Sequence, residues 1–395
     1  MLRRRGAPRR GCLPALLALA LTVALLYVAF LAFAPVRSAV RTVALVPELL
    51  NLPVRPLALL SPEPVRVSTT YGNPPDRIDI YVPGGASADR RLPAVLLALG
   101  VHPEEIDHPD IVRVASAISR LGVVVGVPDS TPLRELRVTP AEAGHLVDAL
   151  FVLVSRPEVD PRRVGLAGFS AGASIALLAA ADPRVATDLR FVSDFGGYAD
   201  AETLLVDVAT RSMVLDRETL DWQPDAGIRR DVARLLSEAI EPAAVRDELA
   251  PMLQAIAASA DRPTTPDPAV AERLQADARA AYLLFTAPDR PAAEAAIALF
   301  SPRLRANLLG ISPLTFAPRI RTNVFVLHGI GDTAIPVSHA YLIADALPKG
   351  AQARMTIFGR FAHGQPGQGG LSIDDAGDVL ALTLYLHAII AASTE

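Results

Sequence analysis

Cysteine occurs once in the 395 residues, at Cys12, and lysine once, at Lys349. The single cysteine excludes an internal disulfide, a cysteine-built metal site and a thiol nucleophile in the globular part. Arginine carries nearly all of the positive charge, as a GC-rich coding bias gives, and no mechanism follows from it. Clustered positive charge is also missing beyond the N-terminus. The net charge is −4 and the arginines are scattered, so no basic stripe exists for a phosphate backbone, and nucleic acid is excluded as a partner. Disorder is excluded by composition, since 51% of the residues are hydrophobic and the length suffices for a sizeable core.

Charge is absent from one long segment. Arg3, Arg4, Arg5, Arg9 and Arg10 precede "CLPALLALALTVALLYVAFLAFAPV", about 25 residues without a charge, which is enough to span a bilayer. A cleaved signal peptide has a shorter apolar region, and the small-x-small site Ala32-Phe33-Ala34 is followed by Pro35, which disfavours cleavage. The expectation is a cytoplasmic basic tail at 1–11 and a transmembrane signal anchor at 12–36. The arginine asymmetry places the remaining chain on the extracytoplasmic side, with secretion after cleavage as the alternative. Residues 37–62 stay apolar but are interrupted by Pro47, Pro53, Pro56 and Pro62, and read as a juxtamembrane segment at the interface or against the domain.

From residue 63 onward, strand and helix patterns alternate. "VRVSTTYG" and "DRIDIYVP" read as a hairpin, followed by the apolar runs "PAVLLALGV", "VVVGVP", "RVGLAGF" and "LRFVSDFGG" with helical stretches between them. Continuous apolar runs suit strands buried on both faces of a mostly parallel, doubly wound sheet, whose ligand site lies at the carboxyl ends of the strands. The alternation stops over 201–310, where four helical patterns with proline-rich joints and no strand candidate predict an inserted helical cap. It resumes with "NVFVLHG" and "QARMTIFG". The core is therefore expected in two parts, 63–200 and 311–395.

"GLAGFSAGAS" places Ser170 where a strand ends and a helix begins, with Gly168, Ala171, Gly172 and Ala173 small enough for the helix to cross the strand closely. A serine hydroxyl needs a base that is oriented in turn by a carboxylate. Asp332 in "HGIGDTAIP" and His363 in "FGRFAHGQPGQGG" each follow a strand, so Ser170, Asp332 and His363 occur in the chain order the nucleophile-elbow arrangement requires. Asp194, also just past a strand, is the rival orienting carboxylate. His328, His339, His145 and His387 read as packed residues. His102, His108, Asp107 and Asp110 lie close together but lack helical ligand spacing or a distant third ligand, so no metal is expected.

With "GFSAG", "HGIGDTAIP" and "FAHG" in this order, the chain resembles the α/β-hydrolase superfamily from about Val65 to the C-terminus. The "DRIDIYVP" hairpin is similar to the esterase and prolyl-oligopeptidase-like branches. The resemblance implies an acyl-enzyme on Ser170, with His363 as general base and then acid and Asp332 orienting it, and no cofactor. Many members carry His-Gly after the strand that here reads "LLALGVHPEE". The backbone N–H of Val101 is thus the expected second oxyanion donor beside that of Ala171; Phe169 is expected to contact substrate, and His102 to be a substrate contact or a surface residue. The resulting expectation is a membrane-anchored serine hydrolase acting on a small apolar ester or acyl substrate, with a peptidase or a catalytically inactive binding module as alternatives.

Overall fold

Each of the apolar runs becomes a strand of one eight-stranded sheet. The computed structural model describes residues 21, 22, 28, 32–101, 106–262, 264–360 and 372–394. The strands are β1 (Val65–Tyr71), β2 (Asp76–Val82), β3 (Leu92–Ala98), β4 (Val124–Pro128), β5 (Val159–Phe169), β6 (Leu189–Phe195), β7 (Ser212–Leu215), β8 (Glu218–Asp221), β9 (Asn323–Gly329) and β10 (Gln352–Phe358). The main sheet has the order β1-β2-β4-β3-β5-β6-β9-β10, in which β2 alone runs against the rest. β4 is buried at every position and β3 at every position after its first, because helices cover both faces and leave no wet side for a polar alternate.

The helices of five or more residues are α1 (Ala34–Leu49), α2 (Pro56–Leu60), α3 (Pro109–Arg120), α4 (Ala141–Val154), α5 (Ala171–Ala180), α6 (Ala201–Thr210), α7 (Ala226–Glu238), α8 (Ala243–Ala258), α9 (Pro268–Arg273), α10 (Ala276–Phe285), α11 (Arg290–Ala298), α12 (Pro302–Gly310), α13 (Ser338–Ala346) and α14 (Ala376–Thr394). Successive residues of one strand feed opposite layers. Leu96 joins Leu150, Leu177 and Ile343 in the core under α4, α5 and α13, whereas Val95 and Leu97 join Ala115, Leu382 and Tyr385 under α3 and α14. The chain leaves β3 toward one edge of the sheet and β5 toward the other. The carboxyl ends of β3 and β5 therefore flank a crevice, the usual ligand position in such sheets.

Residues between β6 and β9 form a second core, in which Leu205, Leu236, Leu253, Leu284 and Phe300 pack together with Ala334 and Ile335 from the loop after β9. This region is not wholly helical, in contrast to the sequence expectation. β7 and β8 form a short antiparallel hairpin turned at Asp216 and Arg217, both at positive φ (51° and 69°). A two-residue turn of this hand is ordinarily spelled Asn-Gly or Asp-Gly, and Asp-Arg does not announce it.

The expected anchor at 12–36 lies mostly outside the described residues, and its last three residues open α1. The juxtamembrane segment is folded onto the domain. α1 runs through Pro47, which falls in its last turn and forfeits one backbone hydrogen bond, and it lies against α3 and α14. Buried Glu48 accepts from the N–H groups of Leu57 (2.8 Å) and Ala58 (3.1 Å), closing the start of α2 against α1. Among the described residues the helix long and apolar enough to cross a membrane is C-terminal, Ala376–Ser393 within α14. It is part of the fold: the Tyr385 hydroxyl reaches Phe325 O (3.0 Å) and Ser193 Oγ (2.8 Å) beneath it.

Candidate active site

Ser170 stands between the last residue of β5 and the first of α5 with φ 54° and ψ −132°. For a side chain with a Cβ, this is a sparsely populated conformation costing about 1–3 kcal/mol, tolerated where surroundings impose it. They do so here. The Ser170 N–H donates to Phe195 O (2.9 Å), and Ser170 O accepts from the N–H of Ala173 (2.9 Å). A Cβ on Gly168 would lie 2.3 Å from the Cα of Ala173, and one on Gly172 would lie 2.3 Å from Leu99 O, so the crossing of helix and strand depends on both glycines.

Gly100 brings the end of β3 to the same point, since a Cβ there would meet the Cβ of Ser170 at 3.0 Å. Ser170, Ala171 and Val101 share the floor of a cavity of about 180 Å³. α5 has no side-chain cap, and the N-terminal end of its dipole faces the serine. The walls are apolar and come from Ile228, Val232 and Leu235 of α7, Leu308 of α12, and Ala334 and Ile335. Asp231 is the charged residue of this lining, exposed at its edge, and burial of its surroundings holds its carboxyl above the usual range. Phe169, expected to touch substrate, turns its ring onto Phe195 (5.4 Å between centroids) and does not line the cavity.

Asp332 lies three residues past β9 and is buried. Its Oδ1 accepts from the N–H groups of Ala334 (2.7 Å) and Ile335 (3.0 Å), and its Oδ2 lies 3.6 Å from His328 Nε2. His328 is packed as expected, with Nε2 2.8 Å from Ile335 O, an arrangement that places the ring proton on Nε2. β10 ends at Phe358, whose carbonyl accepts from the N–H of Ile330 (2.9 Å), so the chain leaves β10 beside the Asp332 loop. His363, five residues further on, lies outside the described residues, as does His102. The remaining members of the acidic and histidine group near position 107 have structural partners. Asp107 bridges Arg66 and Arg77, and His108 Nδ1 accepts from the N–H of Asp110 at the start of α3.

Asp194 sits at the end of β6 under the elbow. Its Oδ1 accepts from the N–H of Gly197 (3.0 Å), and a Cβ on Gly197 would touch both that oxygen and the Cβ of Ala173. The carboxyl is completely buried and its Oδ2 has no hydrogen-bond partner among the described residues. Burial pushes its pKa up to about 7, only partly opposed by the Gly197 N–H.

Sequence reasoning missed the side chains that join the region between β6 and β9 to the Asp332 loop. The Trp222 indole N–H donates to Asp332 O (2.7 Å), and the N–H of Asp225 donates to Thr333 O (2.9 Å). Deeper in, Asp207 of α6 pairs with Arg290 of α11 (2.6 Å) and faces His339 Nε2 of α13 at 3.3 Å, while His339 Nδ1 accepts from the N–H of Ala199. No local pattern marks these contacts, which span 110 residues for Trp222 and Asp332. The cavity wall did carry a signal, the helical spacing of Ile228, Val232, Leu235 and Ala239. Replacing Trp222 with phenylalanine keeps an aromatic side chain but removes the N–H that the Asp332 carbonyl accepts. The expected cost is about 1–2 kcal/mol, read as a lowered midpoint in urea denaturation.

The sheet and its helices fit the α/β-hydrolase fold, with the serine on the strand-to-helix turn that this fold uses. No family model and no curated relative matches the sequence. Among solved structures, the chain is similar to the acylaminoacyl peptidase of Pyrococcus horikoshii, with 12% identity over 78% of this chain and 39% of that one and a TM-score of 0.47. A puromycin-hydrolyzing peptidase of Mycobacterium tuberculosis gives 16% identity over 85% and 40%, TM-score 0.45. An esterase of Pyrobaculum calidifontis gives 16% identity over 89% and 91%, TM-score 0.44. The chain thus spans well under two thirds of the two peptidases and nearly all of the esterase.

Proposed function

We propose that the chain is a serine hydrolase that cleaves a small apolar ester through an acyl-enzyme on Ser170. The observation that carries this reading is the backbone of Ser170, held at positive φ at the end of a central strand and opening into an apolar cavity. In this mechanism His363 takes the Ser170 hydroxyl proton as the oxygen attacks the ester carbonyl, and Asp332 orients the imidazole. The tetrahedral oxyanion is met by the N–H groups of Ala171 and Val101 and by the α5 dipole. Collapse breaks the bond to the alcohol oxygen, which leaves with the proton from His363. Water, deprotonated by His363, then attacks the acyl carbon, the bond to Ser170 Oγ breaks, and His363 returns the proton to that oxygen as the acid leaves. The Asp332 carboxylate is held in place by two backbone N–H groups on Oδ1, which fixes its orientation for that role.

Residues 201–310 act as a cap over the site in this reading, with α7 and α12 setting the acyl size and excluding water. Two features support it: the cavity wall they supply and their hydrogen bonds to the Asp332 loop. Residues 12–36 anchor the chain in a membrane with the catalytic domain on the extracytoplasmic side. A fluorophosphonate probe should label the protein stoichiometrically, and mass spectrometry of the digest should place the adduct on Ser170. A protein that stays unlabelled while folded would be a binding module and would overturn the assignment.

A further inference from the structure

α14 carries no Asp, Glu, Lys or Arg from Val379 to Thr394, and its first turns leave an apolar side uncovered while residues 386–392 are half-buried against the domain and α1. Leu382 and Tyr385 point into the core, while Leu380 and Leu384, one turn apart, are 58% and 43% exposed. α1 lies beside it, fastened by a 3.1 Å contact between Ser38 Oγ and His387 Nδ1 and by the shared packing of Leu45, Leu386 and Ile390. α1 repeats the pattern. Leu45 and Val46 are buried, and Val40 and Val43 are 45% and 62% exposed. Leu59 of α2, which packs on α1, is 85% exposed. Surface helices of a water-facing domain carry charge on their outer side, whereas these outer sides are apolar.

We propose that the outer faces of α1, α2 and α14 seat the domain on an anionic phospholipid bilayer. The occupant is argued from continuity: the uncharged run at 12–36 leads directly into α1, so a chain anchored there brings this face to the membrane first. Exposed Arg55 and half-exposed Arg37 lie along the same segment, where basic side chains meet anionic headgroups while their stems stay on apolar surface; Arg41 is half-buried and is not counted among them. The inference rests on the anchor reading and adds an orientation to it. The domain lies against the lipid along α1 and α14 and does not hang from a free tether.

The test uses the full chain with Cys12→Ser and a single cysteine introduced at Val43, Leu59, Leu384 or, as a control at the end of α11 outside the proposed face, Leu299, which is 61% exposed. Each variant is labelled with an environment-sensitive fluorophore, checked for an unchanged circular dichroism melt, and reconstituted in phosphatidylcholine–phosphatidylglycerol vesicles. Vesicle flotation reads the anchor, and quenching by spin-labelled lipid reads the face. The expected result is flotation of all four variants, with labels at 43, 59 and 384 quenched at least about twofold more than the label at 299. Flotation with four equally unquenched labels overturns the seating and leaves the anchor standing. Failure to float removes both. Labels at 43 and 384 that report an apolar environment yet stay unquenched by the spin-labelled lipid would give the face to a second copy and overturn the proposal.

Discussion

Replacing Ser170 with glycine should abolish ester hydrolysis and make the protein more stable. The loss of turnover follows from the proposed chemistry: without the hydroxyl no acyl-enzyme forms, and removal of a serine nucleophile costs about 10⁴-fold or more in kcat. The gain in stability follows from the backbone. At φ 54° and ψ −132° the Cβ of Ser170 is held against its own chain by the hydrogen bonds to Phe195 and Ala173. Glycine occupies this conformation without strain, recovering about 1–3 kcal/mol, of which roughly 1 kcal/mol is returned as extra entropy of the unfolded chain. The net expectation is a gain of about 1 kcal/mol, with Ser170→Ala inactive but not stabilised. Urea denaturation of the three proteins reads the difference. A glycine variant less stable than the alanine variant would show that no strain is stored at the elbow. One that kept turning over ester would remove Ser170 from the mechanism.

The elbow was the most legible part of the molecule because its requirements are local. A tight turn from strand to helix needs small residues at fixed offsets, and Gly168 and Gly172 stand where a Cβ would collide with backbone. The strands of the sheet were legible for a related reason. Burial on both faces removes the polar alternate, so "VVVGVP" and "NVFVLHG" can hardly be anything else. Legibility fails where partners are remote in sequence. Nothing near Trp222 points to Asp332, and nothing in Asp216-Arg217 announces the β7–β8 turn. Residues 37–62 show the same limit in another form. Their prolines suggested a broken segment at an interface or against the domain; it packs against the domain, with Pro47 in the last turn of a helix that the packing of Leu45 and Val46 holds in place. Composition made the segment apolar, and only the three-dimensional structure showed which side of it the domain uses.

Asp194 illustrates the converse, a residue noticed in the sequence as a rival to Asp332 whose environment gives it a different character. Asp332 accepts two backbone N–H groups in a loop, whereas Asp194 is completely buried, accepts one, and has its pKa raised from 3.8 to about 7. Below the unfolded value both states hold the proton and the group is neutral in its effect. Between pH 4 and 7 the unfolded chain ionises while the folded one does not, so stability falls as pH rises. Above pH 7 the full penalty is present, up to about 4 kcal/mol for a shift of this size. Asp194→Asn keeps an oxygen for the Gly197 N–H and has no charge to bury. It should match the parent in urea denaturation near pH 4 and exceed it by as much as about 4 kcal/mol at pH 8. The turn from Phe195 to Tyr198 also carries the acceptor for Ser170 N–H, so the parent's elbow should loosen as Asp194 ionises while the variant's does not. Parallel pH profiles of stability for the two proteins would show that Asp194 titrates in the folded state as it does in the unfolded chain. In that case a counter-charge would have to reach its second oxygen.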